Sequence, residues 1–158
     1  MTDPQEGLIS FQAALRAREI AVHACDLDKA LSVHLDEPTA GTIRFTYARI
    51  VDGEVQALVM FVQAEPLNGL PCFQVGYAVP KAHRNQGLAT STLQSAIAEL
   101  VHGLRRNSVA RLCIEAVIGT GNLPSLRVAE RVISPERFEA TDEFSGEPAI
   151  QFVGVFPK

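Results

Sequence analysis

The stretch Val79-Pro80-Lys81-Ala82-His83-Arg84-Asn85-Gln86-Gly87-Leu88-Ala89-Thr90 has the residue types and spacing of an anion site. It lies between an apolar run that reads as a strand and a long amphipathic run that reads as a helix. A loop in that place exposes successive backbone N–H groups at a helix N-terminus, where unsatisfied donors and the helix dipole both favour negative charge. Gly87 lets the backbone approach phosphate oxygens with no Cβ in the way, and the small Ala89 and Thr90 keep the first helical turn open. The chemistry would be the cradling of a diphosphate. A glycine that merely shapes a turn would leave the same trace.

Other candidate groups carry less. His83, beside the loop, reads better as a solvated turn histidine than as a phosphate or catalytic ligand, and His23, His34 and His102 show no convergent spacing. Gly119-Thr120-Gly121 after a strand suggests a dinucleotide fingerprint, but the third required glycine position is Pro124, and a meander precedes it where strand-helix repeats are needed. Cys25, Cys72 and Cys113 are odd in number and far apart, with no C-x-x-C pair and no His at zinc-finger spacing. They predict small buried apolar residues, with no disulfide framework and no structural metal.

The elements that position this loop follow from periodicity. Residues 5 to 24, rich in Ala, Leu, Arg and Glu, predict a helix on the recurrence of Leu8, Phe11 and Leu15. From Ala30 the period becomes two: residues 31 to 35 and 43 to 47 alternate as a hairpin around a turn at 37 to 41. Asp52-Gly53 marks a tight turn into a third strand at 55 to 62, and residues 66 to 71 read as a loop. A fourth strand at 73 to 79 is ended by Pro80. Ala89, Leu93, Ala96, Ile97, Leu100 and Leu104 share one helical face, closed by Arg105 and Arg106. Residues 111 to 118 predict a fifth strand, Pro124 opens a helix to about Val132 that Pro135 stops, and 137 to 141 and 149 to 156 read as closing strands. The order is that of an α+β protein with a mixed sheet.

At 158 residues the chain has the length of one domain, 1 to 158, and 47% hydrophobic against 20% charged residues is a globular composition. The opening residues have no basic region followed by an apolar block, and no apolar run reaches membrane-spanning length, so the expectation is a cytoplasmic protein with no membrane partner. A net charge of -4 argues against a nucleic-acid partner held by bulk positive charge.

Val79-x4-Arg84-x2-Gly87-x-Ala89 resembles the acyl-coenzyme A signature of the GNAT superfamily of N-acetyltransferases, Arg/Gln-x-x-Gly-x-Gly/Ala, with its preceding valine at a strand end. The run from Asn122 through Ser125 to Arg131 resembles the Asn-x-x-Ser-x-x-x-x-x-Lys/Arg segment of the branch that acetylates ribosomal-protein N-termini, and Gln74-Val75-Gly76-Tyr77 looks like the same branch. The resemblance covers residues 43 to 133. It implies a GNAT-like mixed, mostly antiparallel central sheet with helices on both faces and splayed strands at the coenzyme A site. It further implies acetyl-coenzyme A as cosubstrate, a small-molecule or peptide amine as acceptor, and, as a family expectation, a homodimer paired through the sheet edge near the closing strands.

By the same resemblance, backbone amides of Arg84, Asn85, Gln86, Gly87, Leu88, Ala89 and Thr90 would hold the coenzyme A diphosphate. The Val79 backbone would pair with the pantetheine arm, added like a strand where the fourth and fifth strands separate. Asn122 would contact the pantetheine or orient the amine, or else simply cap a helix. A lysine amine with pKa about 10.4 is mostly protonated at neutral pH and an α-amine near about 8 much less so, so a base is useful. Glu115 and Glu65 are the candidates, Glu115 facing either the cleft or solvent, since a neutral amide such as Gln74 cannot serve. Many relatives place a tyrosine thiolate donor where this chain has Ala129. Ser125 would take that part, unless it is an ordinary first-turn serine, and Tyr77 reads as core or cleft wall.

Direct transfer of acetyl to a primary amine in a ternary complex is therefore the first expectation. A non-catalytic acyl-coenzyme A sensor or partner module of the same fold is the alternative, and a nucleotide-binding oxidoreductase is a third.

Overall fold

The computed structural model describes residues 3–158. The chain runs α1 (Pro4–Arg16), β1 (His23–Ala24), β2 (Leu31–Thr39), β3 (Thr42–Val51), β4 (Glu54–Leu67), β5 (Leu70–Ala78), α2 (Leu88–Arg105), β6 (Leu112–Gly119), α3 (Leu123–Val132), β7 (Phe138–Thr141) and β8 (Pro148–Phe156). The strands form one sheet in the order β1-β2-β3-β4-β5-β6-β8-β7. Every neighbouring pair is antiparallel except β5 with β6, which α2 joins as a crossover. The expected α+β sheet is there, and its mostly antiparallel order does not fit a doubly wound dinucleotide fold.

Two apolar layers hold it. Leu58 and Met60 face α1 with Leu8, Phe11 and Val55, while Val59 and Phe61 face the opposite way into a larger cluster with Phe73, Leu93, Leu100, Ile114 and Phe152. A strand covered on both faces carries a continuous apolar run, which is why 57 to 61 lacks alternation. Cys25, Cys72 and Cys113 are free and buried, as expected. Burial pushes the Cys25 and Cys72 thiols up to about 12.

Three boundaries differ from the sequence reading. The first helix stops at Arg16 because Arg18 turns left-handed (φ 57°) and the Glu19 N–H reaches back to the Ala14 carbonyl at 3.0 Å. That is a helix stop usually announced by glycine, and here none announces it. The loop expected at 66 to 71 is a two-residue hairpin turn. Asn68 and Gly69 both take positive φ, and the prolines beside them sit at strand ends next to a register shift. Similarly β2 continues to Thr39, the turn being Ala40-Gly41.

The buried face of α2 is wider than its apolar residues. Glu99, 6% exposed, accepts the backbone N–H groups of Asp26, Leu27 and Asp28 at 3.3, 2.6 and 2.7 Å, and Thr92 receives the Arg49 guanidinium at 3.3 Å. A buried carboxylate persists only where donors satisfy it, and the loop before β2 supplies them. Glu99→Leu leaves those donors unmatched and should lower unfolding free energy by about 3 kcal/mol in urea titration. A change below about 0.5 kcal/mol would mean that the loop is held by other contacts.

Candidate active site

β5 and β6 pair over three residues only, Cys72–Gln74 against Cys113–Glu115. Beyond that point β5 stays bound to β4 through Ala78 and β6 to β8 through Gly119, while the two strands diverge from each other. The wedge between them opens into a cleft of about 1300 Å³ lined by both strands, by the segment from His83 to Thr90, by the start of α3 and by the β7–β8 connection.

The loop feeding α2 fits an anion. Pro80 ends β5, residues Lys81–His83 make a single 3-10 turn, and the chain then passes through two left-handed residues, Asn85 (φ 63°) and Gly87 (φ 73°). Gly87 is the N-cap of α2 and supplies no side-chain cap, whereas α1 and α3 are capped by Asp3 and Asn122. Ser91 is the first residue whose N–H finds a helical acceptor, the Gly87 carbonyl at 3.1 Å. Among the described residues, the N–H groups of Asn85, Gln86, Gly87, Leu88, Ala89 and Thr90 donate to nothing. A Cβ on Gly87 would meet no atom within 4 Å, so its constraint is the left-handed backbone alone.

Arg84 departs from the expected cradle. Its N–H donates to the Lys81 carbonyl at 3.4 Å, its Nε to the Val79 carbonyl at 3.0 Å and its terminal nitrogen to Gln5 at 3.3 Å. It braces the loop against the strand end and α1, so the amide run starts at Asn85. His83, read as a solvated turn residue, is half-buried with Nε2 3.1 Å from a Glu54 carboxylate oxygen.

Across the wedge, the Asn122 side-chain oxygen accepts the Ser125 N–H at 3.3 Å, so of the two readings of Asn122 the structure displays the cap. Ser125 lines the cleft, and its hydroxyl has no partner among the described residues. Its carbonyl receives the Tyr77 hydroxyl at 2.6 Å, a bond that ties β5 to the first turn of α3 across the gap. Tyr77 is core and cleft wall at once. Burial pushes its phenol up, so it remains a neutral donor.

Glu115 faces the cleft, half-buried, opposite Gln74 in the parallel register. Its Oε2 accepts from the Gln151 side-chain amide at 3.0 Å. Glu65, at the far end of β4, lines the same cleft and is exposed. Sequence reasoning missed Gln151 altogether. Its only signal was one amide in the otherwise apolar closing strand of residues 149 to 156.

The splayed parallel pair within a mostly antiparallel sheet, with a helix N-terminus at its mouth, is the fold of the GNAT acetyltransferases. Among solved structures, it superposes on ribosomal-protein-S5-alanine acetyltransferase from Vibrio fischeri with a TM-score of 0.55 and 14% identity, over 74% of this chain and 63% of that one. It also superposes on a chimeric spermidine N-acetyltransferase from Vibrio cholerae (TM-score 0.53, 13% identity, 73% and 67% covered). A third is an acetyltransferase from Salmonella typhimurium that modifies the N-terminal serine of a 50S ribosomal subunit protein (TM-score 0.52, 16% identity, 72% and 64% covered). The chain thus spans about two thirds of the length of these proteins. No family model matches the sequence, and no curated protein does.

Tyr77→Phe removes the strap across the wedge and leaves the buried side of the Ser125 carbonyl without its donor. It should cost about 1 to 2 kcal/mol of unfolding free energy, read by urea denaturation. An unchanged midpoint would show that the arms are held apart without it.

Proposed function

We propose that this protein is an N-acetyltransferase that moves an acetyl group from acetyl-coenzyme A to a primary amine by direct attack, both substrates bound together. The observation that carries the reading is the run of six unengaged amides at the uncapped start of α2, set at the mouth of a wedge between two strands. Such a run suits a diphosphate, and free strand edges beside it suit an arm rich in amides.

In this reading the amides of residues 85 to 90 hold the diphosphate, with Arg84 fixing the loop that presents them. The Val79 carbonyl is already taken by Arg84, which leaves its N–H for the pantetheine. Asn122 keeps α3 capped so that the Ser125 hydroxyl faces the cleft. The amine nitrogen bonds to the acetyl carbon as the carbon–sulfur bond breaks. Glu115, directly or through water, takes the proton the amine gives up, and the Ser125 hydroxyl donates a hydrogen bond to the departing sulfur. The acceptor in this reading is a peptide or small-molecule amine, and an α-amine, less protonated than a lysine at neutral pH, asks less of the base. The named activities of the solved neighbours, on a ribosomal-protein alanine, on the N-terminal serine of a ribosomal protein and on spermidine, support an amine acceptor. A binding module without turnover is the second reading, favoured by Gln74 and by Ala129, which is fully buried with no hydroxyl to offer. Release of free thiol from acetyl-coenzyme A across a panel of α-amino peptides and linear polyamines separates the two; silence across the panel would favour the module.

Gly87→Glu should abolish coenzyme A binding in calorimetry by bringing bulk and negative charge to the cradle, while thermal unfolding shows the variant still folded. Equal affinity in Gly87→Glu and the parent would sink the site. Ser125→Ala should cut kcat roughly a hundredfold with little change in the dissociation constant for coenzyme A. Loss of both in parallel, or of neither, removes the hydroxyl from the mechanism.

A further inference from the structure

Glu115 is held from one side only. Gln151 on β8 and Glu115 on β6 are diagonal neighbours on one face of the sheet, because Gln151 is registered with Val117, two residues along from Glu115. The Gln151 side-chain nitrogen donates to Glu115 Oε2 at 3.0 Å. A carboxylate only accepts, so the amide orientation of Gln151 is fixed by this contact. On the other flank Gln74 stands in register with Glu115 but makes no hydrogen bond to it, and Oε1 of Glu115 has no partner among the described residues. All three side chains line the cleft. The charged groups that share this cleft are Glu65 from β4, Asp3 at the start of α1, Asp142 and Glu143 from the β7–β8 connection, and His83 and Arg84 in the loop before α2; none of them pairs with Glu115.

We propose that Gln151 is a positioning residue: by occupying Oε2 it fixes the Glu115 carboxylate so that Oε1 is presented to the acceptor amine. The inference rests on Glu115 being the base of the proposed reaction. A carboxylate on a strand otherwise turns about its terminal torsion among several orientations, and a proton acceptor works only within hydrogen-bond reach of the amine. Tying one oxygen leaves the other with a single direction. Gln151 thereby acts through Glu115 and need not touch either substrate.

The test is a double-mutant cycle on the whole chain, with acetyl-coenzyme A and the panel amine that releases most thiol. Gln151→Met keeps the length of the side chain and removes the donor. It should lower kcat about tenfold and leave the KM for acetyl-coenzyme A unchanged. In a Glu115→Gln background the same substitution should cause no further loss, since there is no carboxylate left to aim. Thermal unfolding of each variant accompanies the kinetics, and Gln151→Leu replaces Gln151→Met should the latter not fold. Equal losses from Gln151→Met in both backgrounds, or a raised KM with kcat intact, would overturn the positioning role. Full activity in Glu115→Gln alone would instead overturn the base assignment, so the two failures are told apart.

Discussion

The architecture turns on a contact of three residues between β5 and β6. Parallel strands that meet over Cys72–Gln74 and Cys113–Glu115 and then part must each keep another partner, and they do: β4 holds β5 to Ala78 and β8 holds β6 to Gly119. Their inner edges then carry backbone donors and acceptors that no strand satisfies. Buried, such groups would be costly; lining an open cleft they meet solvent or an extended ligand. A parallel pair also requires a crossover, and α2 supplies it between β5 and β6, while α3 starts at Leu123, just after β6 ends at Gly119. Both helix starts are thereby delivered to the mouth of the wedge.

The helix at that mouth is firmly held along its length and open at its tip. Leu93, Ala96, Ile97 and Leu100 bury its apolar face, and Glu99 and Thr92 add polar ties to the first strands. The tip is left open because Gly87 brings no side chain to bridge the first amides, whereas Asp3 and Asn122 close the other two helices. An uncapped start is a cost to an isolated helix. Here packing along the remaining turns compensates, and the donors stay free at the mouth of the cleft.

The cleft is also divided by chemistry. Toward α2 it offers amides, with Arg84 and His83 engaged in bracing the loop; toward β8 it offers Gln74, Glu115 and Gln151 on one sheet face, one from each of three strands. The Tyr77–Ser125 bond spans the two arms between these ends. The order of strands is what gathers these groups, since β8 inserts beside β6 and sends β7 to the outer edge.

Much of this was legible in the chain. The face of α2, the Asp52-Gly53 turn, the strand ended by Pro80 and the loop around Gly87 all follow from periodicity and from φ values that a few adjacent residues demand. Where a local stop lacked its usual residue, as at Arg18, or prolines masked a turn, as beside Asn68-Gly69, the boundaries slipped. The divergence of β5 from β6, the turning of Arg84 onto Val79 and Gln5 and the union of Gln151 with Glu115 were settled only on folding. The Gln5–Arg84 contact joins residues 79 apart and the Glu115–Gln151 contact residues 36 apart. Backbone conformation answers to neighbours in sequence, but the partner of a strand edge and the direction of a polar side chain are fixed by what packing brings alongside.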